Sequence, residues 1–137
     1  MRNQKPILLV EDDQVDAMTV KRSLKKVHVT NNVERAKNGE EALAWLRNPD
    51  NERPCIVLLD INMPRMNGIE FLEVVKQDNA LKTIPVIILT TSKDEMDRVK
   101  SFNLGVAGYM VKPVDYVQFV DVIQTINMYW TLSELPE

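Results

Sequence analysis

The chain has 137 residues, 45% hydrophobic and 27% charged, with a formal net charge of −3. That is the length of one domain, able to bury a core without disulfide or metal staples. Acids and bases are mixed with no basic stripe, which argues against nucleic acid as a partner. No apolar run is long enough to span a membrane, and MRNQKP does not read as a signal peptide. The single Cys55 can form no internal disulfide, which fits a reducing cytoplasm.

Taken in order, short apolar runs alternate with helical patterns. PILLVE (6–11) reads as a strand. Residues 14–27 read as a helix with Ala17, Val20, Leu24 and Val27 on one stripe. NVERAK (32–37) alternates, as a strand at or near a sheet edge does. Residues 39–47 form a second helix around Ala42, Leu43 and Leu46. The polar link RNPDNERP (47–54) reads as a surface loop. CIVLLD (55–60) is the third strand, with Cys55 as a small core residue. Helices over 67–77 (Ile69, Leu72, Val75) and 93–103 (Met96, Val99, Phe102) bracket the strand PVIILT (85–90). AGYMV (107–111) is the fifth strand, and residues 114–131 form the longest helix.

Four of the five runs carry several β-branched or aliphatic residues, as strands covered on both faces do. Strands and helices alternating through short links predict an α/β domain with a mainly parallel sheet. Right-handed crossovers put helices on both faces. The functional crevice of such a sheet lies outside the carboxyl ends of its strands, so the residues that end the strands decide the chemistry. Strand one ends at Glu11 and Asp12, strand three at Asp60, and strand four at Thr90; Lys112 and Pro113 follow strand five. Alone, each is commonplace: an acid caps a helix, and a Lys-Pro pair makes a turn. Together they place three carboxylates, a hydroxyl and an ammonium in one mouth. Such carboxylates cannot all ionise cheaply without a cation. Mg²⁺ answers that problem and characteristically brings phosphate oxygens with it. A carboxylate can then act as nucleophile to form an aspartyl-phosphate, with the metal and Lys112 stabilising the transferring group. Thr90 can donate to a phosphoryl oxygen.

VED (10–12), LLDINMPRMNG (58–68), ILTTS (88–92) and GYMVKP (108–113) resemble the receiver domains of two-component response regulators, in order and spacing over nearly the whole chain. The resemblance implies a flavodoxin-like, doubly wound sheet of five parallel strands in the order 2-1-3-4-5, flanked by five helices. It implies a single receiver domain over 1–137 without an output domain, acting in the cytoplasm as a switch rather than an enzyme. The phosphoacceptor is then Asp60 and the donor a partner sensor histidine kinase, in a Mg²⁺-dependent reaction. Asp12 and Asp60 are the expected side-chain ligands of Mg²⁺, with Asn62 binding through its backbone carbonyl and Glu11 through water. Lys112 is expected to pair with Asp60 and later with the phosphoryl group, across a cis Lys112–Pro113 bond. Thr90 is the expected switch hydroxyl and Tyr109 the switch aromatic, acting on the surface of helix four, strand five and helix five. Asn62 and Ser92 are expected to flank the site, in positions able to tune the phosphoryl lifetime.

Neighbouring strand residues point oppositely, so only one of Thr90 and Thr91 can face the site; the family spacing selects Thr90. Three acids follow Val10 but the family uses a pair, which assigns Asp13 to the cap of the first helix, in a capping arrangement with Asp16. In the loop after Asp60, Pro64 stiffens the turn and Gly68 permits a tight approach to the next helix. On helix five, Gln118, Asp121 and Thr125 form a narrow polar wedge among Val117, Phe119, Val120, Val122, Ile123, Ile126, Tyr129 and Trp130. A core-facing stripe is roughly 100° wide, so the excess predicts either a second buried face, for a partner or a second copy, or a deeply packed terminal helix. The tail (126–137) and the longer loop before strand three resemble those of single-domain regulators partnering phytochrome-like or other hybrid sensor kinases. That implies a homodimer through helix four, strand five and helix five.

Three other classes compete. A receiver-like module working without phosphorylation tends to lose the acidic pair, the Asp or the Lys, and all are present here. A Mg²⁺-dependent phosphohydrolase needs a second acid two residues past its nucleophile, where Asn62 stands. A flavin mononucleotide carrier needs a hydroxyl- and glycine-rich loop after strand one, and EDDQVD is its electrostatic opposite.

Overall fold

The computed structural model describes residues 5–26 and 28–125. Its elements in chain order are β1 (Ile7–Val10), α1 (Gln14–Lys26), β2 (Val33–Ala36), α2 (Gly39–Arg47), β3 (Ile56–Asp60), α3 (Gly68–Gln77), β4 (Val86–Thr90), α4 (Lys93–Lys100), β5 (Gly108–Val111) and α5 (Tyr116–Thr125). The strands form one parallel sheet in the order β2-β1-β3-β4-β5. This is the predicted doubly wound architecture.

Strand alternation builds two cores from one sheet. Ile7, Leu9, Ile56, Leu58, Ile87 and Leu89 face Ala17, Val20 and Leu24 of α1 and Phe119 of α5. Leu8, Val10, Val57, Leu59, Val86 and Ile88 face Ala42 of α2, Phe71 and Leu72 of α3 and Val99 of α4. Each such side chain contributes about 1.5–3 kcal/mol when fully buried. β2 is the edge strand the alternating pattern predicts, with only Ala36 buried. Among the described residues no helix is long and apolar enough to cross a membrane.

Capping explains most helix starts. The Asp16 N–H donates to Asp13 Oδ1 at 2.9 Å, so Asp13 is the cap of α1. Asn67 and Glu70 cap α3 reciprocally, and Ser92 accepts from the Glu95 N–H at the start of α4. Two helix readings need correction. α4 stops at Lys100, capped by Ser101, and the chain turns through Asn103 in the left-handed region (φ 52). Phe102 therefore lies past the helix, 49% exposed, instead of on its buried stripe. Gln118 is no part of a solvated wedge. Its side chain accepts from the Val111 N–H at 2.6 Å and donates to the Val111 carbonyl at 2.9 Å, pairing the outer edge of β5 as a neighbouring strand would. Val117 is exposed, while Phe119, Val120 and Val122 pack on the α1 side of the sheet. Val27 and the predicted helical residues 126–131, with Tyr129 and Trp130, lie outside the described residues.

Candidate functional site

The parallel register gathers the strand ends as the sequence predicts. Glu11, immediately after β1, is fully buried; Asp60, the last residue of β3, is 2% exposed. Lys112 follows β5 over a cis bond to Pro113. Its ammonium lies 2.6 Å from Glu11 Oε1, 3.0 Å from Asp16 Oδ2 and 3.1 Å from Asp60 Oδ1. Glu11, Asp12 and Asp60 each offer a carboxylate oxygen, all within 4.8 Å of one another. Asp12 is exposed and opens the cluster to solvent.

Burial dominates the electrostatics. It pushes Glu11 up to about 8; the Lys112 contact opposes this and the nearby Asp60 adds to it. Burial also raises Asp60, against the lowering influence of Glu11 and Lys112. For Lys112 burial works against the charge, but the close Glu11 carboxylate, the Asp60 charge and the hydrogen bond to Asp16 outweigh it and hold the ammonium above the usual lysine range. The buried Glu11 carboxyl thus retains a proton that a divalent cation would displace. Glu11 Oε1, though close to Lys112, has no partner aligned as a hydrogen bond. Three converging carboxylates with an open side suit a hard divalent cation with oxygen ligands.

The other predicted residues lie on the adjoining strands and loops. Thr90 is fully buried and its hydroxyl donates to the Met110 carbonyl at 3.4 Å. Thr91 is exposed, as alternation requires, and its N–H donates to Glu95 Oε1. Thr90 follows Ile88 on the α3–α4 side of the sheet, and Tyr109, paired with Ile88, packs on that same side. Burial raises the Tyr109 phenol, and Lys100 Nζ sits 5.1 Å from the centre of its ring. Met96, Lys100, Tyr109, Asp121 and Val122 line a 230 Å³ recess between α4, β5 and α5. The Asn62 N–H donates to Asp60 Oδ1 at 3.4 Å, while its side-chain amide donates to Glu95 Oε2. A Cβ at Gly68 would come within 2.8 Å of both the Asp60 carbonyl oxygen and Ile61 Cα, which accounts for glycine behind the site.

Sequence reasoning missed two residues here. Asp16, whose N–H is capped by Asp13, also brings its side chain to Lys112 as a third carboxylate. Arg35 spans the end of β1 from β2: its Nε donates to the Glu11 carbonyl at 3.0 Å and its Nη2 to the Asp12 carbonyl at 2.9 Å. The only signal for Arg35 was a long cation on the edge strand beside an acidic strand end.

A doubly wound sheet whose carboxyl edge holds buried acids, a lysine and a strand-end threonine defines a phosphoacceptor signalling switch. The chain belongs to the response regulator receiver domain family, whose model matches residues 7–124; these domains are phosphorylated on an aspartate. It is 35% identical to Response regulator Rcp1 of Synechocystis over 92% of this chain and 88% of that protein. The Mn²⁺-bound form of Rcp1 superposes with a TM-score of 0.74 at 35% identity, covering 97% of this chain and 99% of that one. The bacteriophytochrome response regulator AtBRR superposes with a TM-score of 0.87 at 40% identity, covering 95% of this chain and 97% of that one.

Proposed function

We propose that Asp60 is the phosphoacceptor, taking a phosphoryl group from a sensor histidine kinase in a Mg²⁺-dependent reaction. The observation that carries this is a buried carboxylate at the end of β3, clustered with Glu11 and Asp12 and 3.1 Å from Lys112. Asp12 and Asp60 by side chain, Asn62 by backbone carbonyl and Glu11 through water would hold the ion. When bound, it supplies neutralisation of the carboxylates and of the incoming phosphoryl oxygens. The Asp60 carboxylate attacks phosphorus in line as the donor bond breaks, and Lys112 exchanges a carboxylate for a phosphoryl oxygen. Placing these groups together lets the domain catalyse its own phosphorylation and dephosphorylation.

Thr90 turns from the Met110 carbonyl to the new phosphoryl oxygens, and Tyr109 follows into the space it leaves. That shifts a two-state surface of α4, β5 and α5. The names of the bacteriophytochrome response regulators AtBRR and RtBRR support a phytochrome-like kinase as partner, and the proposed homodimer forms through this surface.

Incubation with acetyl phosphate and Mg²⁺, read on a phosphate-affinity gel, tests the assignment. One acid-labile phosphoryl group is expected on the wild type and none on Asp60→Asn; equal labelling overturns the assignment. Light scattering of the same samples should report a dimer, and monomer at every concentration overturns the dimer.

A further inference from the structure

We propose that Arg35 is a positioning residue for the metal-binding acids, an inference that rests on the assignment of Glu11, Asp12 and Asp60 as the metal site. Arg35 stands on β2 opposite Leu9 of β1 and is half-buried. Its guanidinium reaches past the end of β1 and grips two consecutive carbonyls, those of Glu11 and Asp12. These carbonyls belong to the peptide planes on either side of the Asp12 Cα. A rigid planar fork that fixes both planes fixes the direction of the Asp12 Cα–Cβ bond.

Asp12 needs such a restraint more than its neighbours do. Glu11 is held by full burial and by Lys112. Asp13 is held by the start of α1. Asp12 is exposed, so packing does not aim it. The end of β2 also takes the preceding N–H, since Glu11 donates to the Ala36 carbonyl at 2.9 Å. Arg35 continues that grip beyond the last rung of the sheet. Residues that orient metal ligands typically change affinity by about 10–100-fold when replaced.

The sign of the effect separates positioning from simple charge. A guanidinium beside three carboxylates repels a cation, so its removal by charge alone tightens metal binding. Loss of positioning weakens it. Mn²⁺ binding to the full chain, followed by the electron paramagnetic resonance of free Mn²⁺ with Mg²⁺ competition, reads the difference. Arg35→Met is expected to raise the dissociation constant about tenfold or more, while the metal-free melting temperature stays near wild type. Arg35→Lys, which keeps the repelling charge but not the fork, is expected to bind at least as weakly as Arg35→Met. Unchanged or tighter binding by Arg35→Met overturns the proposal. Should that variant not fold, wild-type affinity in Arg35→Lys overturns it. Asp12→Asn is the control: if it binds Mn²⁺ like wild type, the metal-site assignment itself fails, whatever Arg35 does.

Discussion

Leu58 and Asp60 stand two residues apart on β3, on the same side of the strand, and follow opposite rules. Both are almost fully buried. Leu58 meets Ile, Leu and Val side chains on every side and gains from leaving water. Asp60 meets a second buried carboxylate and shares one ammonium with it and with Asp16. Its burial raises its pKa, the mark of a charge taken out of water without full compensation. The middle of the sheet therefore supplies the stability that its carboxyl edge gives up, and the unfavourable edge is what a metal and a phosphoryl group can relieve.

The largest expected effect breaks the favourable half. Leu58→Ala should lose about 2–5 kcal/mol in urea denaturation, the range for a large-to-small change in a close-packed core. Asp60→Asn, measured without metal, should lose far less or gain, because Glu11 and Asp16 remain to pair Lys112 and one buried charge is gone. A loss from Asp60→Asn equal to that from Leu58→Ala would remove the contrast between core and edge.

The next effect is a pH dependence confined to the edge. Glu11 keeps a proton up to about pH 8 in the folded chain, whereas its ordinary value is 4.5. The folded state then binds more protons than the unfolded one between these values, so stability falls as pH rises through that window. Coupling to Asp60 and Lys112 spreads the titration, and the loss between pH 5 and 8 should be on the order of 2 kcal/mol. Urea titrations at several pH values without metal measure it. Glu11→Gln should flatten the slope, and saturating Mg²⁺ should oppose it, because the ion displaces the retained proton. A slope unchanged by Glu11→Gln would assign the proton to another group.

The same division decides what could be read from sequence. Core strands declare themselves by continuous aliphatic runs, and their parallel pairing brings Glu11, Asp60, Thr90 and Lys112 together whatever the loops do. That is why the fold and the cluster were legible. Contacts made by long polar side chains across the edge were not. Arg35 reaches two carbonyls, the Asp16 side chain reaches Lys112, and Gln118 folds back onto Val111. Each depends on a side-chain direction that periodicity does not encode. The end of α4 was missed for a related reason: the apolar spacing runs on through Phe102, while the backbone has already turned at Ser101 and Asn103.

The smallest expected effect lies inside the acidic triplet at residues 11–13. Asp13 accepts the Asp16 N–H at 2.9 Å, and its own N–H donates to Glu11 Oε2 at 3.2 Å. Its side chain thus faces the start of α1, while its backbone helps hold Glu11. Asp13→Ala should cost about 1 kcal/mol, the usual loss of an N-cap, and should leave Mg²⁺ affinity near wild type because the backbone contact remains. Asp12→Ala should do the reverse, with little change in stability and a large loss of metal. Isothermal titration of both variants with Mg²⁺ compares them directly. If Asp13→Ala weakened the metal as much as Asp12→Ala does, the three acids would act as one cluster, and the boundary between helix cap and metal site would not fall between residues 12 and 13.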